Sequence, residues 1–327
     1  MNEPVIHIIT QQKDLPELDD TNFFHSRQLF EVVKQTPRQR PYMVVAQTAD
    51  GQVMAHMLAI VRHRSLWVLP YLYMHCRILG EGVYSYAHEG HTEHYLFGCM
   101  IEALRNKLSN TVFYTEVSNL SSKMFGYREL KRCQFFPVNW VSIHNSLHSH
   151  TPEERISKRL QKHINKSYAK GITTKEVENE ADFKAFMKLL KQHHWLKPKR
   201  YIPDEKFFLA IQKGGYGQLC ITRYHKHVIG CYAVVYSNQN AYLWYMAFRR
   251  KSYVRLHPDE LTLWHVLKDA HNKGYQHVFF LDVGLPFSHN HFREFILRFG
   301  GKPVSTFRWF RCSIRWINAV LSWIYRK

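Results

Sequence analysis

The 327 residues are more than one ordinary domain needs and enough for two, each able to bury its own core. Hydrophobic residues at 45%, aromatic at 15% and charged at 22% exclude a disordered chain. A net charge of +19 goes far beyond what solubility requires and points to a polyanionic partner such as nucleic acid, anionic lipid or a phosphorylated cofactor.

The chain opens on MNEPVIHIITQQKD, polar and acidic where an export signal would carry positive charge and then an apolar run, so a cytoplasmic protein is expected. Strands are predicted near 42–47, 53–62 and 65–73, then a helix over 92–108 and a strand over 111–117. TPEERISKRLQKHINKSYAKG at 151–171 reads as a basic connector helix ending at Gly171. Phe183, Phe186, Leu189 and Leu190 recur at helical spacing in 182–193, and a further helix is predicted near 204–212. Three apolar runs follow, 217–224, 227–237 and 241–248, with Lys226 and Asn238 to Asn240 at the turns, which is the pattern of a strand meander. A helix over 258–273 starts at Pro258 with two acids behind it and stops at Gly274, and a strand over 277–283 follows directly. The tail from 307 to 327 interleaves arginines with Trp309, Trp316, Ile317, Val320, Leu321 and Trp323. It reads either as a last strand and helix packed on the domain or as a peripheral contact with anionic membrane. Its longest apolar run, 317–324, is far short of the roughly eighteen residues that span a bilayer.

Residues 91–117 lie over 257–283 without a gap, at an offset of 166. His91 meets His257, Glu93 meets Asp259, Val112 and Phe113 meet Val278 and Phe279, and Glu116 meets Asp282. The same offset carries Pro137-Val138 onto Pro303-Val304. Two copies of one unit are therefore expected.

Three segments carry a family resemblance: the basic helix of 155–172, the strand, loop and helix of 241–274, and LDVG at 281–284 with FREFILRFGGKPV at 292–304. Their order, with the helix pair before the meander, resembles the GNAT acyltransferase fold. The tandem arrangement is similar to its Fem-like branch of aminoacyl and acyl transferases. The resemblance implies an α/β (α+β) protein of two tandem domains, each a mixed, largely antiparallel sheet flanked by helices. We place them at 1–150 and 172–327, joined by the linker helix 151–171, with the donor site in the second. It further implies an N-acyltransferase that moves an acyl or aminoacyl group from an activated donor, acyl-CoA first and aminoacyl-tRNA as the alternative, to an amine-bearing acceptor. A non-catalytic protein that binds polyanions or membrane on the same scaffold is the remaining reading. The loop at 249–258 has no glycine, where coenzyme-A-dependent relatives cradle the pyrophosphate on glycine-rich backbone.

Such chemistry needs a base for the attacking ammonium and a proton donor for the leaving group. Asp282, ending an apolar strand, is the expected base, and Tyr245 within LWYMAF the expected donor. Arg249, Arg250, Lys251 and Arg255 fall where the family holds the donor's phosphates, and arginine forks suit phosphate oxygens. Lys158, Arg159, Lys162 and Lys166 recur at near-helical spacing and could hold a longer polyanion on one face. HEGHTEH at 88–94 and HNH at 289–291 invite a metal reading, but the first lacks the HExxH ligand spacing and the six cysteines form no CxxC pair, so no metal is expected.

Overall fold

The computed structural model describes residues 3–63, 74–85, 91–194, 201–281, 283–286 and 289–325. The first part of the chain forms strand β1 (Val5–Ile9), helix α1 (Arg27–Gln35), strands β2 (Gln39–Gln47), β3 (Val53–His63), β4 (Met74–Leu79) and β5 (Val83–Tyr84), helix α2 (Glu93–Leu108), strand β6 (Tyr114–Ser118), helix α3 (Tyr127–Arg132) and strand β7 (Phe136–Ser146). Then come helix α4 (Lys158–Tyr168), strand β8 (Ile172–Glu176), helices α5 (Glu180–His194) and α6 (Glu205–Lys213), and strands β9 (Gly217–Tyr224), β10 (His227–Ser237) and β11 (Asn240–Phe248). Helix α7 (Pro258–Asn272), strand β12 (His277–Phe280), helix α8 (His291–Leu297), strand β13 (Lys302–Cys312) and helix α9 (Arg315–Ile324) complete it. The expected strand over 65–73 lies outside the described residues.

Local chemistry sets the helix starts. Ser26, Thr92, Ser157, Asp204 and Asn290 each accept a first-turn backbone N–H with a side-chain oxygen, opening α1, α2, α4, α6 and α8. Helix α7 has no such cap; it starts on Pro258, behind His257 at φ 46°. That left-handed backbone is unusual for a side chain with a Cβ and marks local strain at this helix head.

The chain divides into two compact units, residues 1–140 with 305–327, and residues 141–304. In the first, β1, β2, β3 and β4 pair antiparallel in sequence order, β6 joins β4 in parallel, and β13 closes against β6 antiparallel. In the second, β8, β9, β10 and β11 repeat the meander, β12 joins β11 in parallel, and β7 closes against β12 antiparallel. Apart from the two-residue β5, which pairs with β3 in the first unit, the two topologies are the same. Strands β7 and β13 are both 11 residues long and lie 166 residues apart, so the repeat found by sequence holds to the residue here.

Each closing strand comes from the end of the other copy. The division expected at 150 therefore does not coincide with the units: Trp309, fully buried, packs in the first unit's core with Phe97 and Met57, far back along the chain. The expected linker helix of 151–171 shortens to α4, which packs Leu160 and Ile164 into the second unit's core rather than standing between domains. The tail does form a last strand and helix. All six cysteines carry free thiols.

Candidate functional site

The second unit opens a cleft where its parallel strand pair parts. Strands β11 and β12 are in register only from Asn240 and His277 to Leu243 and Phe280; β11 then runs on to Phe248. Ligands enter sheets where neighbouring strands diverge at their C-terminal ends. The opening here encloses about 340 Å³, with Leu243, Met246 and Phe280 among its apolar lining, Asp259 at the head of α7, and Asn290 and Phe295 from the α8 side.

Asp259 contributes a carboxylate to this lining. It is 3% exposed, and its Oδ2 lies 3.5 Å from Arg250 Nε, another cleft residue. Its Oδ1 is buried with no hydrogen-bond partner among the described residues. A buried carboxylate oxygen left unsatisfied is costly unless a ligand completes it. Glu260 beside it is also buried, with Arg298 Nη1 at 3.7 Å and His257 Nδ1 at 3.8 Å. The positive end of α7 is thus already faced by the chain's own carboxylates, where a helix N-terminus would otherwise attract phosphate. In the sequence these two acids read as an ordinary helix start. What sets them apart is that they open a helix whose residues 258–264 are all buried.

The expected site residues distribute unevenly. Tyr245 is buried, donates its hydroxyl to the Tyr201 carbonyl at 3.3 Å and packs against Phe208; it is not among the residues lining the cleft. Asp282 lies outside the described residues, although Leu281 before it lines the cleft. Its counterpart in the first copy, Glu116, is buried between Arg77 Nε at 3.4 Å and Arg308 Nη1 at 3.3 Å, an ion-pair network in that unit's interior. Arg308 in turn lies over the Trp140 ring at 3.9 Å. Of the loop cations, Arg250 faces Asp259, Arg249 donates to Gln192 of α5, and Lys251 and Arg255 are exposed, so the four do not converge on one point.

Helix α4 behaves otherwise. Lys158, Arg159, Lys162 and Lys166 are all exposed and share one face within about 100° of arc, while Leu160, Ile164 and Ser167 are buried on the other. The His163 ring stacks on His257 at 5.3 Å, and Lys170 Nζ donates to the Arg255 carbonyl at 3.1 Å. These contacts join the basic face of α4 to the basic loop before α7.

Near the cleft, His289, His291 and Glu294 bring ligating atoms within 4.8 Å of one another, a grouping that the short HNH spacing hid. All three are exposed and already pair internally, His289 Nδ1 lying 3.0 Å from Glu294 Oε1.

Residues 155–293, within the second unit, match the family described as acetyltransferase (GNAT) domain. The whole chain superposes on the crystal structure of FemX with a TM-score of 0.62 at 11% identity, covering 95% of this chain and 96% of that one. The chain has the tandem GNAT fold of Fem-like proteins. The structure of L-PGS from Bacillus licheniformis matches this tandem GNAT fold with a TM-score of 0.58 at 10% identity, over 91% of this chain and 92% of that one. A tandem GNAT protein from the clavulanic acid biosynthesis pathway matches at 0.53 and 9%, over 94% and 99%. No curated protein matches by sequence.

Proposed function

We propose that this tandem GNAT protein is an aminoacyltransferase that passes an aminoacyl group from aminoacyl-tRNA to an amine held in the cleft of the second unit. The observation that carries this choice of donor is the basic face of α4 running into the loop before α7 through the His163–His257 stack and the Lys170–Arg255 bond. Such a surface exceeds what a pyrophosphate needs and suits a polynucleotide backbone. Asp259 and Glu260 at the α7 head weigh against phosphates at the position that coenzyme A occupies in this fold.

In this reading the acceptor's ammonium docks on Asp259, completing its unsatisfied oxygen. Asp282 takes the proton as the amine nitrogen attacks the ester carbonyl. A C–N bond forms, the bond from that carbon to the ribose oxygen breaks, and the ribose oxygen leaves with a proton. The low-polarity lining of Leu243, Phe280 and Phe295 strengthens these charge contacts. Acyl-CoA is the second reading, favoured by the family match over 155–293.

The deciding experiment supplies an amine library with either labelled aminoacyl-tRNA or labelled acetyl-CoA and follows label into product. Transfer from the tRNA alone is expected, and transfer from acetyl-CoA alone would replace this reading with the second.

A further inference from the structure

Helix α9 packs on the first unit through one side only. Asn318 accepts from the Cys312 N–H at 2.8 Å and donates to the Gln134 carbonyl at 3.0 Å, and Tyr325 stacks on Phe136. On the opposite side Trp316, Val320, Trp323 and Ile324 follow one another at helical spacing, 70%, 49%, 74% and 54% exposed. They occupy roughly 100° of arc, the width of an apolar stripe that ordinarily faces a core. Two tryptophans held in water at the surface of a helix contribute nothing to the fold, so something else explains their placement.

The sequence that carries the stripe has charge of one sign: from residue 307 to 327 it holds five basic residues, Arg308, Arg311, Arg315, Arg326 and Lys327, and no acidic one, with Arg308 buried against Glu116. Arg315 opens the helix and is exposed. A stripe of four side chains falls well short of the twenty or more residues per side that a stable protein interface uses. Tryptophan beside arginine is the composition of a helix lying in the headgroup region of a bilayer. Among the described residues no helix is long and apolar enough to cross a membrane, so such a helix would lie on the surface.

We propose that α9 docks the chain onto anionic lipid bilayers, with Trp316, Val320, Trp323 and Ile324 entering the headgroup boundary and Arg315 meeting the lipid charge. This goes beyond the transfer chemistry and rests on residues of the other unit. The full chain is sedimented with vesicles of phosphatidylcholine containing about a third phosphatidylglycerol, and with phosphatidylcholine alone. Binding to the anionic vesicles is expected, with weaker binding to the neutral ones. Trp316→Ser combined with Trp323→Ser should lower the partition coefficient about tenfold or more while leaving the thermal transition in place, since neither ring is part of the core. Val320→Asp provides an independent variant should the double one fold poorly. Arg315→Glu should weaken binding to anionic vesicles and spare the neutral ones. Equal vesicle binding by wild type and variants, or none by the wild type at low salt, would overturn the proposal. So would a dimer in sedimentation velocity that the tryptophan substitutions dissolve without any vesicle binding, because the occupant would then be a second copy.

Discussion

Asp259 and Asp282 are assigned different tasks, and kinetics can separate them. Asp259 faces the cleft with one buried oxygen that has no partner among the described residues, so Asp259→Asn removes the proposed charge-assisted bond to the acceptor. Such bonds are worth about 1.5–3 kcal/mol, which raises the acceptor KM roughly ten- to a hundredfold with kcat little changed. Asp282→Asn should do the opposite, lowering kcat while donor and acceptor affinities hold. A KM effect for Asp282 and none for Asp259 would reverse the assignment. In the first unit, His25 sets an acid limit on stability. It is fully buried, accepts the Leu58 N–H on Nδ1 at 3.1 Å, and burial, reinforced by His56, lowers its pKa from 6.5 to about 3. The unfolded chain therefore binds a proton that the folded one refuses. Its contribution is fully present above pH 6.5 and is lost as the pH falls toward 3, at up to about 1.4 kcal/mol per pH unit. Urea midpoints at successive pH values should show a shallower acid loss for His25→Gln than for wild type; identical slopes would mean that other groups set the limit.

At the scale of elements, much was legible because strands and helices declare themselves by spacing. β9 and β10 match the apolar runs read at 217–224 and 227–237 end for end. The predicted strand over 277–283 ends early, at Phe280, because β11 has parted from it there, and that parting makes the cleft. Tyr245 was legible as part of a strand but not as a residue outside the cleft lining, since alternation alone does not tell which face of a doubly covered sheet opens to a ligand. Asp259 was hidden for a related reason, since acids in a first helical turn are the ordinary response to the helix dipole whether they are exposed or buried. The position of α7 itself depends on a close approach to β10 at Gly230. A Cβ there would fall within the contact radius of the Thr262 hydroxyl, which is committed to the Pro258 carbonyl at 2.6 Å. Gly230→Ala should therefore cost about 1–3 kcal/mol by overpacking and shift the α7 head that carries Asp259. An unchanged thermal midpoint would show that the helix has room to move.

Over the whole molecule, the repeat was readable from an ungapped offset, but the assignment of the closing strands was not. β7 and β13 are equivalent in sequence, and nothing in their residues says which meander each will complete. A fragment of residues 1–150 lacks β13, the partner of β6, and the buried Trp309. It should show no cooperative thermal transition, whereas a cooperative one would mean that the first unit closes without the tail. The function assigned to the molecule depends on a polynucleotide donor lying along α4 and the loop before α7. The most direct measurement is the affinity for tRNA as a function of salt, for wild type and for Lys162→Glu with Lys166→Glu. Binding should weaken steeply with salt, and the double reversal should reduce the slope of log affinity against log salt by about two, one for each phosphate contact removed. A slope near zero in the wild type, or one that the reversal leaves unchanged, would contradict the account.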